Sequence, residues 1–242
     1  MLKKIDNSKK AGNSHISILY PGLELSDNDT GYNSIGRIDH ANIHSGAVIK
    51  MHPHINDDIL SYFRKGKVKH TDSEGFEEFI VPTRLMLMKA GKLFYHEEAI
   101  LEDNEGLQIF IRPGEKDMKP EVIFEELTEM YTENNWRLIA SPDKEKTKLQ
   151  LSSQTWIYDA EITAGNIMQL PESHTLGFGY LLYVYQGSIE VNENISLSKG
   201  ECLFIADENI SFITENKANL VLFVTDTKAP YYDGGMYSGN KR

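Results

Sequence analysis

The sequence contains a single cysteine, Cys202, in 242 residues. No intrachain disulfide can form, and cysteine-rich zinc modules are excluded. Long apolar runs are also missing. The longest wholly apolar stretches, such as Tyr180–Tyr185, fall far short of the ~20 residues that span a bilayer. The basic opening MLKKIDNSKK is not followed by the apolar segment of a secretory leader. Positive charge is scarce as well: 25 Lys and Arg stand against 36 Asp and Glu, a net charge of −11. Such a chain repels phosphate, which disfavours direct nucleic-acid binding and anionic membrane surfaces. The expectation is a soluble, cytoplasmic protein.

What the sequence does contain is a succession of short apolar segments, rich in β-branched and aromatic residues and bounded by turn residues, the pattern of strands. In the first half these are Ile59–Phe63, Gly66–His70, Phe79–Val81, Leu85–Met88, Leu93–Tyr95 and Leu107–Ile111. In the second they are Gln154–Ala160, Tyr180–Tyr185, Ser188–Val191, Cys202–Ile205, Ile210–Thr214 and Asn219–Val224. Asp72-Ser-Glu-Gly75 reads as a hairpin loop. Leu60-Ser-Tyr-Phe-Arg-Lys-Gly66 resembles Leu181-Leu-Tyr-Val-Tyr-Gln-Gly187, and this faint repeat points to duplication of one β-domain. Between the halves, Val122, Ile123, Leu127, Met130 and Tyr131 recur among acids at roughly helical spacing, predicting a short connector helix over Pro120–Asn135. Lys228–Arg242 shows no periodicity and reads as a surface strap or a partly disordered tail.

Two histidine motifs carry chemistry. In a strand, residues i and i+2 share a face, so His52 and His54 can converge on one point, as can His96 and Glu98, while Glu97 points away. If the two strands are neighbours, three imidazoles and one carboxylate form a cage. That donor set suits iron, manganese, nickel, copper or zinc better than calcium or magnesium. His15, His40, His44, His70 and His174 lack a partner at ligand spacing and read as ordinary surface or core residues. Met51, Met86, Met88, Phe94 and Tyr95 lie near the motifs, either as pocket lining or as plain core. Cys202 sits in an alternating strand and reads as buried and inert.

These residues resemble a known family. Gly46-Ala-Val-Ile-Lys-Met-His52-Pro-His54 looks like a first cupin motif. With Asp58, Ser61-Tyr62, Gly66 and His70-Thr-Asp-Ser-Glu-Gly75 it is similar to the pirin family. Met88-Lys-Ala-Gly91 followed by His96-x-Glu98, then Leu107–Pro113 and Trp136–Asp143, extends the likeness from roughly Gly36 to Val224. The resemblance implies an all-β bicupin, two β-barrel (jelly-roll) domains packed face to face with few short helices. Residues 1–127 would form a metal-binding domain, 128–228 a metal-free one and 229–242 a tail.

It further implies one mononuclear transition metal, Fe(II) being favoured, held by His52, His54, His96 and Glu98. The activity implied is that of a quercetin 2,3-dioxygenase, acting on a small phenolic substrate and dioxygen with Glu98 as catalytic base. The alternative is an iron-containing regulator or adaptor whose metal state controls binding to a protein partner. A monomer is favoured. Two departures stand out: Asp58 replaces the family's usual Glu, expected to alter hydrogen bonding around the metal ligands, and Pro82-Thr-Arg84 replaces a Pro-Gly-Asp turn.

Overall fold

In a computed structural model the chain is described over residues 1–6, 10–172 and 177–239. Each half is a sandwich of a seven-stranded and a four-stranded sheet. The two seven-stranded sheets face each other, so the layers run four, seven, seven, four around three apolar cores. Each of the twelve segments expected to be strands overlaps a strand, mostly with displaced ends. The domains are jelly-roll-like sandwiches rather than closed barrels.

The layering explains why many strands are apolar on both faces. In Asp58–Lys65, Ile59 and Phe63 enter the core inside the first domain, whereas Leu60 and Tyr62 enter the core between the domains. Leu85 and Leu87 alternate with Met86 and Met88 in the same way. A strand buried on both sides reads as a continuous apolar run, not as an alternating one.

The same alternation overturns the connector helix. Glu121–Glu126 is a strand that pairs with Arg84–Lys89. Ile123 packs on the interdomain core, while Val122 and Phe124 pack on the core of the first domain. Its acids form ion pairs with basic residues of adjoining segments: Glu121 with Lys89, Glu125 with Lys148 and Glu126 with Arg84. The local excess of acids that mimicked a solvated helix face is therefore largely neutralised.

The repeat is visible in the backbone. Gly66 and Gly187 follow equivalent strands with φ of +85° and +80°, and a Cβ at either would lie 2.4 Å from a carbonyl oxygen, of Asp103 or of Lys217. Only glycine fits both requirements. The turn at Pro82-Thr83, by contrast, closes with Arg84 N–H donating to the Val81 carbonyl at 2.8 Å. Thr83 is not among the residues of positive φ, so this turn needs no glycine.

Buried polar groups join the domains. Asp159 accepts the Tyr62 hydroxyl at 2.8 Å and the Arg64 guanidinium at 2.9 Å from the first domain, and Arg137 at 2.7 Å from the second. His40 and the Tyr183 hydroxyl share a 2.7 Å hydrogen bond. Asp58 accepts both the backbone N–H and the hydroxyl of Ser152. Asp58 thus serves the domain junction, contrary to the expectation that it adjusts bonding around the metal ligands.

The chain ends cross over. Leu2–Lys4 hydrogen-bonds to Cys202–Ala206 at the edge of the second domain's sheet. The tail returns to the first domain, where the fully buried Arg112 donates to the Ser238 carbonyl and to Asp29.

Candidate metal centre

The outer four-stranded sheet of the first domain places Val48–His54 beside Phe94–Ile100, which pairs on its other side with Val68–Asp72. His96 therefore lies opposite His52 on one flank and Asp72 on the other, and Glu98 lies opposite His70. Phe94, His96, Glu98 and Ile100 alternate inward with buried side chains. A β-bulge sets the phase of the partner strand: His52 opposes His96, but Ile49 opposes Glu98, one residue more than a regular ladder allows.

The bulge also orients a ligand. The Lys50 carbonyl accepts the His52 Nδ1–H at 2.9 Å, leaving His52 Nε2 as a bare lone pair. His54 Nε2 lies 3.1 Å from His52 Nε2 and 3.0 Å from His96 Nε2. Asp57 stands 3.8 Å from His54 Nδ1, on the side away from the other rings. Three imidazole nitrogens thus converge, and lone pairs this close repel unless a proton or a cation lies among them. The arrangement fits a borderline transition ion.

Glu98 occupies a neighbouring position. It is buried, with Oε1 3.9 Å from His96 Nδ1, on the opposite edge of that ring from the three Nε2 atoms. Gln108, reaching across from the seven-stranded sheet, donates to both its oxygens at 3.0 and 2.9 Å. Burial pushes the Glu98 carboxyl up to about 7, the Gln108 bonds opposing the shift. Burial, assisted by the adjacent imidazoles, pushes His96 down to about 2. Of the four expected ligands, His52, His54 and His96 meet through Nε2, whereas Glu98 groups with His70 on the Nδ1 edge of the His96 ring.

Four participants escaped the sequence reading. His70, taken as an ordinary residue, is wholly buried with Nδ1 3.4 Å from His96 Nδ1. Its i+2 neighbour Asp72 was the available signal. Gln108 comes from the opposite sheet, and nothing local announces it. Asp57, fully buried, accepts the backbone N–H groups of Tyr237 at 3.0 Å and Ser238 at 2.8 Å. The described part of the tail is consequently a strap, and the Tyr237 ring lies 4.9 Å from that of His54. Of the remaining expectations, His174 lies outside the described residues.

A cavity of about 30 Å³ adjoins Glu98, lined by Ile49, Phe63 and Ile100 with Asp39, Asn104 and Gln108. It has room for one or two waters. None of the five apolar residues proposed as pocket lining borders it: Met86, Met88 and Phe94 are core, while Met51 and Tyr95 are exposed. His52 is the least buried of the three imidazoles and marks where the cluster meets solvent.

Cys202 is fully buried, and that burial pushes its thiol up to about 12, as expected of an inert core cysteine. Among the described residues, no helix is long and apolar enough to cross a membrane.

Comparison with known proteins agrees with this architecture. Residues 22–112 match the pirin family, and residues 138–224 match the quercetinase C-terminal cupin domain. Quercetin 2,3-dioxygenase of Escherichia coli K12 is 25% identical over 202 residues, covering 81% of this chain and 84% of that protein. The E. coli bacterial pirin YhhW in complex with nickel(II) superposes with a TM-score of 0.79 at 21% identity, covering 93% of this chain and 99% of that one. Quercetin 2,3-dioxygenase from Acinetobacter baumannii gives a TM-score of 0.74 at 18% identity, with 94% and 88% covered. With both halves matched and the fold shared, this chain belongs to the bacterial pirin family of two-domain cupins.

Proposed function

We propose that the chain is a metal-dependent dioxygenase of flavonol-like phenols, with His52, His54, His96 and Glu98 holding one transition ion in the first domain. The observation that carries this reading is the convergence of the His52, His54 and His96 Nε2 atoms; Glu98, on the other edge of the His96 ring, would turn toward the ion to complete the set. The names of the relatives supply the substrate class, and the nickel in YhhW supports a metal of the first transition row. Fe(II) remains our choice, on the imidazole and carboxylate donor set and the family resemblance.

A bound ion would supply Lewis acidity and a place for dioxygen and for the phenolate oxygen of the substrate. The protein's own part is to orient ligands and handle a proton. Lys50 fixes the His52 ring, and Gln108 holds the Glu98 carboxylate in place. Glu98, buried beside His96, is the base that accepts the phenolic proton. Substrate approaches from the His52 side, where the cluster meets solvent, because the inner cavity is too small for an aromatic ring.

Elemental analysis joined to oxygen uptake with quercetin tests the reading. Iron-loaded protein should consume oxygen with flavonol. His52→Ala should lose the metal, and Glu98→Gln should lose turnover. A fully iron-loaded protein that turns over no flavonol sinks the enzymatic reading and favours an adaptor.

A further inference from the structure

The hairpin motif His70-Thr-Asp72-Ser-Glu-Gly75 has no part in the proposed ligand set, yet it is wired to it. Asp72 Oδ2 lies 2.7 Å from His70 Nε2, and both side chains are completely buried. Asp72 is itself held rigidly, since its Oδ1 accepts the backbone N–H groups of Glu74 at 2.9 Å and Phe76 at 3.1 Å. Ser73 then ties the turn to the next strand: its N–H donates to the Tyr95 carbonyl, and its hydroxyl accepts from Tyr95 N–H. The turn is thereby fastened one residue away from His96.

Hydrogen-bond bookkeeping fixes the direction of the chain. A carboxylate only accepts, so a neutral His70 donates its Nε2–H to Asp72 and presents Nδ1 as an acceptor. His96 Nδ1, 3.4 Å away, must then carry the proton. Glu98 Oε1, the other group near that nitrogen, stands 3.9 Å off, beyond hydrogen-bond reach. His70 therefore requires the tautomer with His96 Nε2 bare and facing His52 and His54.

We propose that Asp72 and His70 are positioning residues that lock His96 as an Nε2 donor, so that the hairpin turn governs metal affinity. This rests on reading His52, His54 and His96 as the metal site. The lock is the imidazole counterpart of the Lys50 carbonyl at His52, and it gives His70 a role that no ligand count assigns. Partners of this kind generally carry about 10- to 100-fold in metal affinity.

The test uses the full chain with zinc(II) as a diamagnetic probe. Long-range ¹H–¹⁵N correlation on histidine-labelled, metal-free protein should show His96 protonated on Nδ1. His70→Ala should lose that signature and bind zinc about 10- to 100-fold more weakly, at one ion per chain in both proteins. His70→Gln, whose amide oxygen can still accept the proton, should recover part of the affinity.

Three results would overturn the proposal. The first is His96 protonated on Nε2 in the metal-free chain. The second is unchanged zinc affinity in folded His70→Ala. The third is two zinc ions per chain falling to one in that variant, which would make His70, His96 Nδ1 and Glu98 a second metal site instead. Zinc binding that survives His52→Ala would sink the underlying site itself, and flavonol turnover enters none of these measurements.

Discussion

Single residues at the centre work against their own solvation. Glu98 is buried and, without a metal, keeps its proton well above the usual carboxylate range, its carboxyl being raised from 4.5 to about 7. A raised carboxyl binds its proton more tightly in the folded state, so folding is favoured below 4.5 and that gain is lost as pH climbs to 7. A shift of this size corresponds to about 3 kcal/mol. His96, depressed to about 2, pulls the other way, since acid favours its unfolded, protonated form below 6.5. The clean reading is therefore a difference. In urea titrations of metal-free protein, the stability of wild type relative to Glu98→Gln should fall by about 3 kcal/mol from pH 4.5 to 7. A flat difference across that window would mean that the carboxyl ionises normally. The ligand motifs themselves were legible in the sequence, because His-x-His and His-x-Glu depend only on strand alternation. Gln108 and Asp57 were not, because their partners lie on another sheet and at the far end of the chain.

Among the elements, the strands flanking the site were readable and their irregularities were not. Strand identity follows from local residue type, whereas the bulge between Ile49 and His52 arises from pairing with Phe94–Ile100. The misread segment Glu121–Glu126 shows the same limit. Two consecutive half-buried apolar residues, Val122 and Ile123, look helical only when the strand is imagined with one wet face. Ile123→Asp should separate the two readings, since it places a carboxylate against the interdomain core. The expected loss is at least ~2 kcal/mol, read as a lower urea midpoint. Glu126→Gln on the exposed end of the same strand should stay within about 0.5 kcal/mol. Similar small effects for both would remove Ile123 from the core. Far-UV circular dichroism of the wild type should lack a helical signature.

For the whole molecule, the duplicated architecture was foreseeable from two β-rich halves and the Gly66 and Gly187 repeat, but the bonds that unite them were not. Asp159 alone meets Tyr62, Arg64 and Arg137 from both domains. Asp159→Ala leaves the buried Arg64 guanidinium without its carboxylate, and a broken buried pair of this kind costs about 3–5 kcal/mol. Denaturant unfolding should register that loss, and a shift below 1 kcal/mol would show that Arg64 finds another partner or water. The crossed ends have a consequence for dissecting the protein. A fragment stopping near residue 127 keeps the metal ligands but lacks the strap at Met236–Ser238, while a fragment starting there exposes the Cys202–Ala206 edge that Leu2–Lys4 covers. Each piece holds the other's missing edge or cover, so co-expressed halves should reassemble by complementation, while the first half alone should shed its ion and the second alone should aggregate.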